Sequence, residues 1–595
     1  MGTISNQAYM SSNLTLGDML HEIASCYRYL GSDYRFKVMA YTAAARTLHG
    51  LNIDIASYVK RGAELRKLRG IDEDIALEIM QYLRTGKIKT YERLKKKVPL
   101  GLLELMDVKG FGPVTIKTIH EKLHVNTRNE MKIALLSGRL ESFEGMGQRK
   151  IENMKRGLKL FKEVHSQLQL WDAISIGSDV LKQLLALPGV KNAVICGSLR
   201  RNKETIADID IIVMARRKYW EKISQTFCDL PFVHRVIVAG GKRISVLLKN
   251  HNTQVDIQLV HEHEYGAALL LLTGSKEHSI ALKKWADNKG FLLNENGVFD
   301  AGTGKWLAGT NEEEIYRLLG LQFIPPELRE DKGEIEKAAK HRLPLLVEEN
   351  DIRGDMQVHS SWSNNEEEIE TIARHVRRVY PQYEYIVITD CLSGQLGTGG
   401  LQPEEFINQF AEIDMVNKAL GQQFVKKGVD VHILEDGSLN LQDNILQQFE
   451  WVTASIVSGF DKDNTGRLIK ACENPNVHCL NHPSGRLIGK RDAWTVNWKK
   501  LIEKAASTGT CMAINAQPDR LDLKDELVKA AIDKGVKICI GTGARDLNQF
   551  DLMSTGVAVA RRGWCTKENI LNTCSWKEVE YFKQYKQSIM CNTGI

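Results

Sequence analysis

Gly197-Ser198-Leu199-Arg200-Arg201, followed shortly by Asp208-Ile209-Asp210-Ile211-Ile212-Val213, is the stretch on which the reading of the fold turns. The run that leads into it, Ala193-Val194-Ile195-Cys196, has the length and β-branched character of a buried strand. Gly197-Ser198 breaks that run. A helix starting there would turn free backbone N–H groups and the positive end of its dipole toward any phosphate nearby, and Arg200 and Arg201 add charge beside it.

A second strand begins at Asp208. Side chains alternate faces along a strand, so Asp208 and Asp210 share one face while Ile209 and Ile211 enter the core. Two carboxylates side by side repel, and a cation relieves that repulsion. Val255-Asp256-Ile257 repeats the alternation and supplies a third carboxylate on a neighbouring strand. Three such groups can hold two Mg²⁺ ions, or Mn²⁺ in their place, about 3.5–4 Å apart, one activating an attacking oxygen and the other clamping a triphosphate. The chemistry implied is nucleotidyl transfer. An Asp-x-Asp pair alone is an ordinary strand edge; the Gly-Ser turn upstream and the third Asp downstream set this one apart.

The run from Gly197 to Asp210 resembles the palm motif of the nucleotidyltransferase superfamily, most closely that of family X DNA polymerases, with Asn202 and Ala207 standing where glycines are usual. Thr273-Gly274-Ser275-Lys276-Glu277-His278 resembles the helical stretch that follows the third carboxylate in that family. The resemblance implies Asp208, Asp210 and Asp256 as the catalytic metal ligands, with Asp256 the candidate proton acceptor. It implies Gly197, Ser198, Arg201, Gly274 and Ser275 at the nucleotide, Ser198 and Arg201 on the β,γ-phosphates and Gly274 with its neighbour against the sugar. Leu269-Leu270-Leu271-Leu272 departs from relatives that carry aromatic residues at the last two positions, and Ser279 stands where an asparagine is common. Weaker rejection of ribonucleotides is the expectation.

The 595 residues are enough for roughly three or four domains. Hydrophobic content of 43% and charged content of 26% are those of a soluble globular protein. A net charge of +6 is small for this length, so affinity for nucleic acid must come from local basic faces. No apolar run has the length of a membrane span and the first residues lack a signal-peptide pattern, so no membrane association is expected. The 11 cysteines are scattered singly and read as buried small hydrophobes in a reducing, cytoplasmic compartment.

Upstream of the palm, three segments read as helix, Gly-rich turn, helix: Leu68-Arg69-Gly70-Ile71-Asp72, Val108-Lys109-Gly110-Phe111-Gly112-Pro113 and Phe143-Glu144-Gly145-Met146-Gly147. Glycines let such turns bring backbone N–H groups against phosphate whatever the base sequence. Gly70, Gly110, Gly112, Gly145 and Gly147 are therefore the candidate DNA-binding positions. A single turn of this kind is an ordinary helix end; the recurrence points to DNA. Residues 1–95 are assigned to an N-terminal helical DNA-binding domain and 96–185 to a fingers-like helical domain. The first copy is irregular, Asp72 replacing its second glycine. Several family members remove a sugar-phosphate remnant through a lysine Schiff base in this region, and Glu78 stands where that lysine would align.

The palm is assigned to 186–262 and the thumb to 263–322. Phe323-Ile324-Pro325-Pro326-Glu327-Leu328-Arg329-Glu330 opens a stiff linker, 323–349, because paired prolines followed by charge resist folding back. This run resembles the one found in bacterial and archaeal family X enzymes that carry a second domain. Residues 350–575 then alternate apolar strand-like runs with helices, the rhythm of a β/α barrel with its site at the carboxyl ends of the strands, and 576–595 are left as a tail. The resemblance here is to the polymerase and histidinol phosphatase (PHP) domain, a metal-dependent phosphoesterase. Its ligand positions are largely altered. The opening His-x-His pair is Gln357 and His359, the following aspartate is Asn364, and Thr-Asp-His has become Thr389-Asp390-Cys391. Asp430 replaces the bridging glutamate, Val457 a histidine, and Gly543 and Arg545 the final Asp-x-His, while His482 survives. Valine, glycine and arginine donate no lone pair to a metal, so a disabled nuclease domain is expected, with Arg545, Arg486 and Lys490 making its pocket friendly to anions.

The whole is expected to be multidomain: an all-α helix-hairpin-helix region, an α+β nucleotidyltransferase palm with its thumb, and a C-terminal (β/α) barrel-like domain. Its expected task is template-directed filling of short gaps in DNA repair, with gapped or primer–template DNA and deoxynucleoside triphosphates as partners. Two other readings stay open: a phosphoesterase working through a reduced metal site, and a non-catalytic DNA-binding scaffold.

Overall fold

Alternation along Asp208–Ala215 builds the centre of a five-stranded mixed sheet. This strand runs parallel to Gln254–Val260 and antiparallel to Val190–Ile195; Arg243–Leu248 and Val233–Gly240 extend the sheet on the far side of Gln254–Val260. Ile209, Ile211 and Val213 are fully buried, as the period of two requires. Helix Leu170–Leu185 covers this core, its Gly177 so close to the sheet that a Cβ there would meet Ile195 and Leu199 at 3.1 Å. The residues up to 185 read as fingers-like thus include a helix that belongs to the palm. Leu170, Ala173, Val180 and Leu184 face its sheet because the apolar stripe of this helix finds its cover there.

The structure is a computed structural model describing residues 5–593, except 50–54, 61–62, 69, 96, 108–110, 124, 126–129, 132–133, 136–138, 141–145, 156–166, 250–252, 364–366 and 393–400. The chain divides into two compact units, residues 1–163 with 489–491 and residues 164–488 with 492–595. Among the described residues no helix is long and apolar enough to cross a membrane.

The first unit is helical. Helices Ser5–Leu30 and Arg35–His49 pack together over Leu20, Ile23, Ala44 and Leu48. Gly70 has φ +75, and a Cβ there would lie 2.9 Å from that of Ala43, so its turn rests on helix Arg35–His49. Asp72, the irregular residue of the first hairpin, is the N-cap of Glu73–Thr85 and accepts the Ile75 N–H at 2.9 Å. The carbonyls of Gly112 and Gly147 accept from Ile116 and Ile151 N–H, so each glycine opens a helix. Gly110 and Gly145 lie outside the described residues. Glu78 accepts a hydrogen bond from the Tyr41 hydroxyl at 2.9 Å.

In the second unit the thumb follows the palm. Helices Tyr265–Thr273 and Lys276–Asp287 pack against an antiparallel sheet of Phe291–Asn294, Gly297–Asp300 and Trp306–Ala308. The expected spacer is no spacer. Ile324, Leu328, Ile335 and Leu346 complete the thumb core, and Arg329 is wholly buried, its Nη1 2.6 Å from Glu312 and its guanidinium over the Tyr316 ring. The prolines turn the chain into that core, where a buried ion pair and four apolar side chains hold it.

Seven parallel strands in chain order, from Gly354–Val358 to Ile538–Gly541, form the C-terminal barrel, and a parallel bridge between Val358 and Ala544 joins the last strand's end to the first. Its floor is filled by Met356, Tyr385 and Trp451 facing Cys479, Cys511 and Cys539. The expected tail is helix Trp576–Thr593, which closes this floor with Val579 and buries Lys586, whose ammonium donates to the Cys472 carbonyl and the Thr510 hydroxyl.

Candidate active site

Parallel register sets Asp210 beside Asp256 and Asp208 beside Gln254. Carboxylate oxygens of Asp208, Asp210 and Asp256 all lie within 4.8 Å of one another. Burial, then the charges of Asp208 and Asp256, push the Asp210 carboxyl up to about 7; burial and Asp256 also raise Asp208. Hard oxygen donors that resist ionising together suit a divalent cation, which takes carboxylate oxygens and removes the repulsion. Two neighbours were not evident in the sequence. Gln254 donates to both Asp256 oxygens at 3.2 and 3.1 Å, and Arg243 Nη2 lies 3.4 Å from Asp256. Strand pairing brings Arg243 there, on the antiparallel strand next to Gln254–Val260, and no local sequence pattern announces it.

The turn at Gly197 is fitted to these carboxylates. Gly197 has φ +65, and a Cβ on it would fall 2.1 Å from Asp210 Oδ2. Its helix is short, Gly197–Arg200, with Ser198 partly exposed. Arg201 Nε donates to Glu330 at 3.1 Å, and its Nη1 donates to the Thr273 carbonyl. Gly274, φ +66, ends the thumb helix so near that its Cβ would stand 3.2 Å from Arg201 Nη1. Ser275 is buried and caps the next helix by accepting the His278 N–H, so its hydroxyl is spent on the fold. Arg200 is a tie between palm and thumb: it bonds Glu312 through both nitrogens, at 2.9 and 2.6 Å, and the Thr273 hydroxyl. Burial alone would raise the Glu312 carboxyl, but Arg329 and Arg200 outweigh it and hold it below its usual range.

The barrel mouth is built differently. Gln357 accepts from Asn515 at 3.2 Å and packs on Gly541, where a Cβ would meet it at 2.5 Å. Burial, reinforced by Arg545, drives His359 down to about 3. Cys391 pairs in a parallel bridge with Asp430; burial raises its thiol, and it stays protonated. Asp430 receives Asn481 Nδ2 at 2.8 Å, while burial, opposed by His432, raises its carboxyl. His432 is a neighbour that sequence reasoning did not name. Val457 is half-buried beyond the end of Trp451–Ser455, His482 has φ +32, Gly543 has φ +58 and Arg545 is exposed. Asn364 lies outside the described residues. Among the described residues, groups of three or more His, Cys, Asp or Glu with ligand atoms within 4.8 Å occur at the palm trio and the three floor cysteines.

A turn that cannot carry a side chain, facing carboxylates gathered from two parallel strands, belongs to the nucleotidyltransferase class. Comparison with known proteins narrows the class. Residues 268–330 match the family described as DNA polymerase beta thumb, and residues 11–88 match the helix-hairpin-helix domain. The chain is 32% identical over 567 residues to the DNA polymerase/3'-5' exonuclease PolX of Bacillus subtilis (strain 168), a match covering 95% of this chain and 98% of that protein. It is 24% identical over 354 residues to DNA polymerase lambda of Rattus norvegicus and 24% over 357 residues to that of Arabidopsis thaliana, matches covering 55% and 53% of this chain and 58% and 62% of those proteins. The chain belongs to the family X DNA polymerases.

Proposed function

We propose that this enzyme fills short gaps in DNA during repair, adding deoxynucleotides to a primer under the direction of a template, and that its barrel, a PHP-type domain, does not degrade DNA from the 3′ end. The observation that carries the first half is the gathering of Asp208, Asp210 and Asp256 within 4.8 Å on paired strands. Divalent ions, Mg²⁺ or Mn²⁺, would be held by these three and supply the positive charge that activates the primer 3′-hydroxyl and offsets the triphosphate. Asp256 accepts the hydroxyl proton. Ser198 and Arg201 bind the β,γ-phosphates as pyrophosphate leaves, and the glycine at 197 lets the turn lie against Asp210. Gly274 receives the sugar. The helix-hairpin-helix turns grip the duplex backbone without reading bases, Gly70, Gly110, Gly112, Gly145 and Gly147 being the positions where backbone meets phosphate.

The second half is supported by what stands at the barrel mouth. At the positions that the resemblance to PHP domains assigns to ligands stand glutamine, valine, glycine and arginine, and an arginine brings a fixed positive charge that disfavours a cation. The Bacillus subtilis relative is named for both activities; we assign this chain the first. The test is a one-nucleotide gap bearing a 5′-phosphate, run in Mg²⁺ and Mn²⁺ beside a single-stranded primer. Extension by one nucleotide with no shortening of the free primer is expected. Absence of extension overturns the polymerase assignment, and shortening that survives Asp208→Ala but not His359→Ala overturns the assignment of the barrel.

A further inference from the structure

The barrel reaches into the polymerase site. Arg562, the last residue of helix Met553–Arg562, is nearly buried, its side chain 6% exposed. Its Nη1 donates to the Arg201 carbonyl at 2.8 Å and to Glu330 Oε1 at 3.0 Å, while Nη2 donates to Asp525 at 2.8 Å. The same Glu330 oxygen accepts from Arg201 Nε at 3.1 Å. A little further along the turn, Glu204 pairs at 2.8 Å with Arg486 from the barrel. The segment that carries Ser198 and Arg201 is therefore held from the barrel at Arg201 and again at Glu204.

We propose that Arg562 is a positioning residue for the incoming nucleotide, which makes the barrel a brace of the polymerase site. The inference rests on the reading of Arg201 as a phosphate-binding residue. Two guanidiniums share one carboxylate oxygen, so Glu330 is satisfied without taking the whole charge of Arg201. Without Arg562, Glu330 keeps only Lys203, 3.8 Å from its other oxygen, beside Arg201, so more of its charge falls on Arg201 and a triphosphate has to compete with that carboxylate for the guanidinium. The backbone of the turn is also released at the Arg201 carbonyl. Both effects weaken nucleotide binding, while Arg562 itself bonds Arg201, Glu330 and Asp525 and none of the three carboxylates of the trio. Asp525 and Glu330 would keep a structural claim on Arg562 whatever the nucleotide does, so the test must separate the two roles.

The experiment measures kcat and KM for the correct deoxynucleotide on a one-nucleotide gap with the full chain, together with melting midpoint and DNA affinity. Arg562→Met is expected to raise KM about tenfold, the scale of one charge-assisted contact, with kcat within about threefold and DNA affinity unchanged. Arg562→Lys, which keeps the charge but not the fork, folds more readily and is expected to raise KM by a smaller factor. The decisive variant is Arg562→Met with Glu330→Gln: removing the carboxylate that Arg562 balanced is expected to return KM to within about threefold of the natural chain. A KM unmoved in both single variants, or one that the added glutamine leaves high, overturns the inference. A natural chain that inserts nothing overturns the polymerase assignment first and this inference with it; an active chain with an unmoved KM overturns this inference alone.

Discussion

Oδ2 of Asp210 lies 2.1 Å from the point that a Cβ on Gly197 would occupy, and Gly197 holds φ +65. The turn at Gly197 and the strand of Asp210 are thus fitted so closely that the smallest added side chain displaces a carboxylate. Gly197→Ala is expected to cut single-turnover incorporation about 100-fold, the cost of misplacing a reacting group by about an ångström. The left-handed backbone adds about 1–2 kcal/mol of destabilisation, read as a lower melting midpoint. Incorporation within twofold of the natural chain would show that the turn and the carboxylate do not work together.

A cation held by the proposed trio would feel the protonation of Asp210. Its folded carboxyl holds a proton up to about pH 7, against an ordinary value of 3.8, because burial and its two acidic neighbours disfavour the charge. The proton must leave before a cation enters, so the apparent affinity of the palm for Mn²⁺ should strengthen as pH rises to about 7 and level off above it. Without metal the sign for stability is opposite. The folded state binds the extra proton between 3.8 and about 7, so stability falls across that window and the cost is complete above it. Asp210→Asn should therefore raise the melting midpoint at pH 8 in chelator while abolishing incorporation and leaving DNA affinity intact. Calorimetric Mn²⁺ titrations at pH 6 and pH 8 that superimpose would refute this account.

The acidic trio was legible in the sequence because strand periodicity is local: Asp208 and Asp210 share a face whatever else the chain does. The Ile324–Glu330 run was not. Its prolines read as a spacer, but what makes it core is Glu312 beneath Arg329 and Trp564 from the barrel, neither visible from within the run. Arg562 meets Arg201 across 361 positions, and no pattern within either segment announces such a contact. Short strands such as Trp306–Ala308 escape because three residues carry no period. The helix Trp576–Thr593 escapes because its buried positions are few and one of them is a lysine.

Arg329 gives the reading of that core its test. It is fully buried between the Tyr316 and Phe323 rings, and it shares Glu312 with Arg200. Arg329→Met keeps most of the volume but leaves Glu312, 4% exposed, with one partner in place of two. Breaking a buried pair from one side costs about 3–5 kcal/mol, and a fall of that size should appear in the urea unfolding of residues 164–595. A loss below about 1 kcal/mol, the worth of a surface pair, would mean that the linker is solvated in solution.

The four leucines before Thr273 divide between two cores. Leu270 and Leu271 pack toward the thumb, and Leu269 and Leu272 toward Cys196 and Val260 of the palm. Leu271 and Leu272 remain half-buried in the last turn, just before Gly274 approaches Arg201. A leucine there presents no flat ring to crowd a 2′-hydroxyl, and a hydrophobic wall rejects an added hydroxyl only weakly, by a factor of about 10². The preference for dGTP over GTP opposite template C should therefore stay below roughly 10⁴, and Leu272→Phe should raise it about tenfold. Since Leu269 and Leu270 are the more deeply buried of the four, the phenylalanine at 272 should cost little stability. A natural preference above roughly 10⁴, about 5–6 kcal/mol, would show that sugar selection is made by other residues and that these leucines serve the two cores alone.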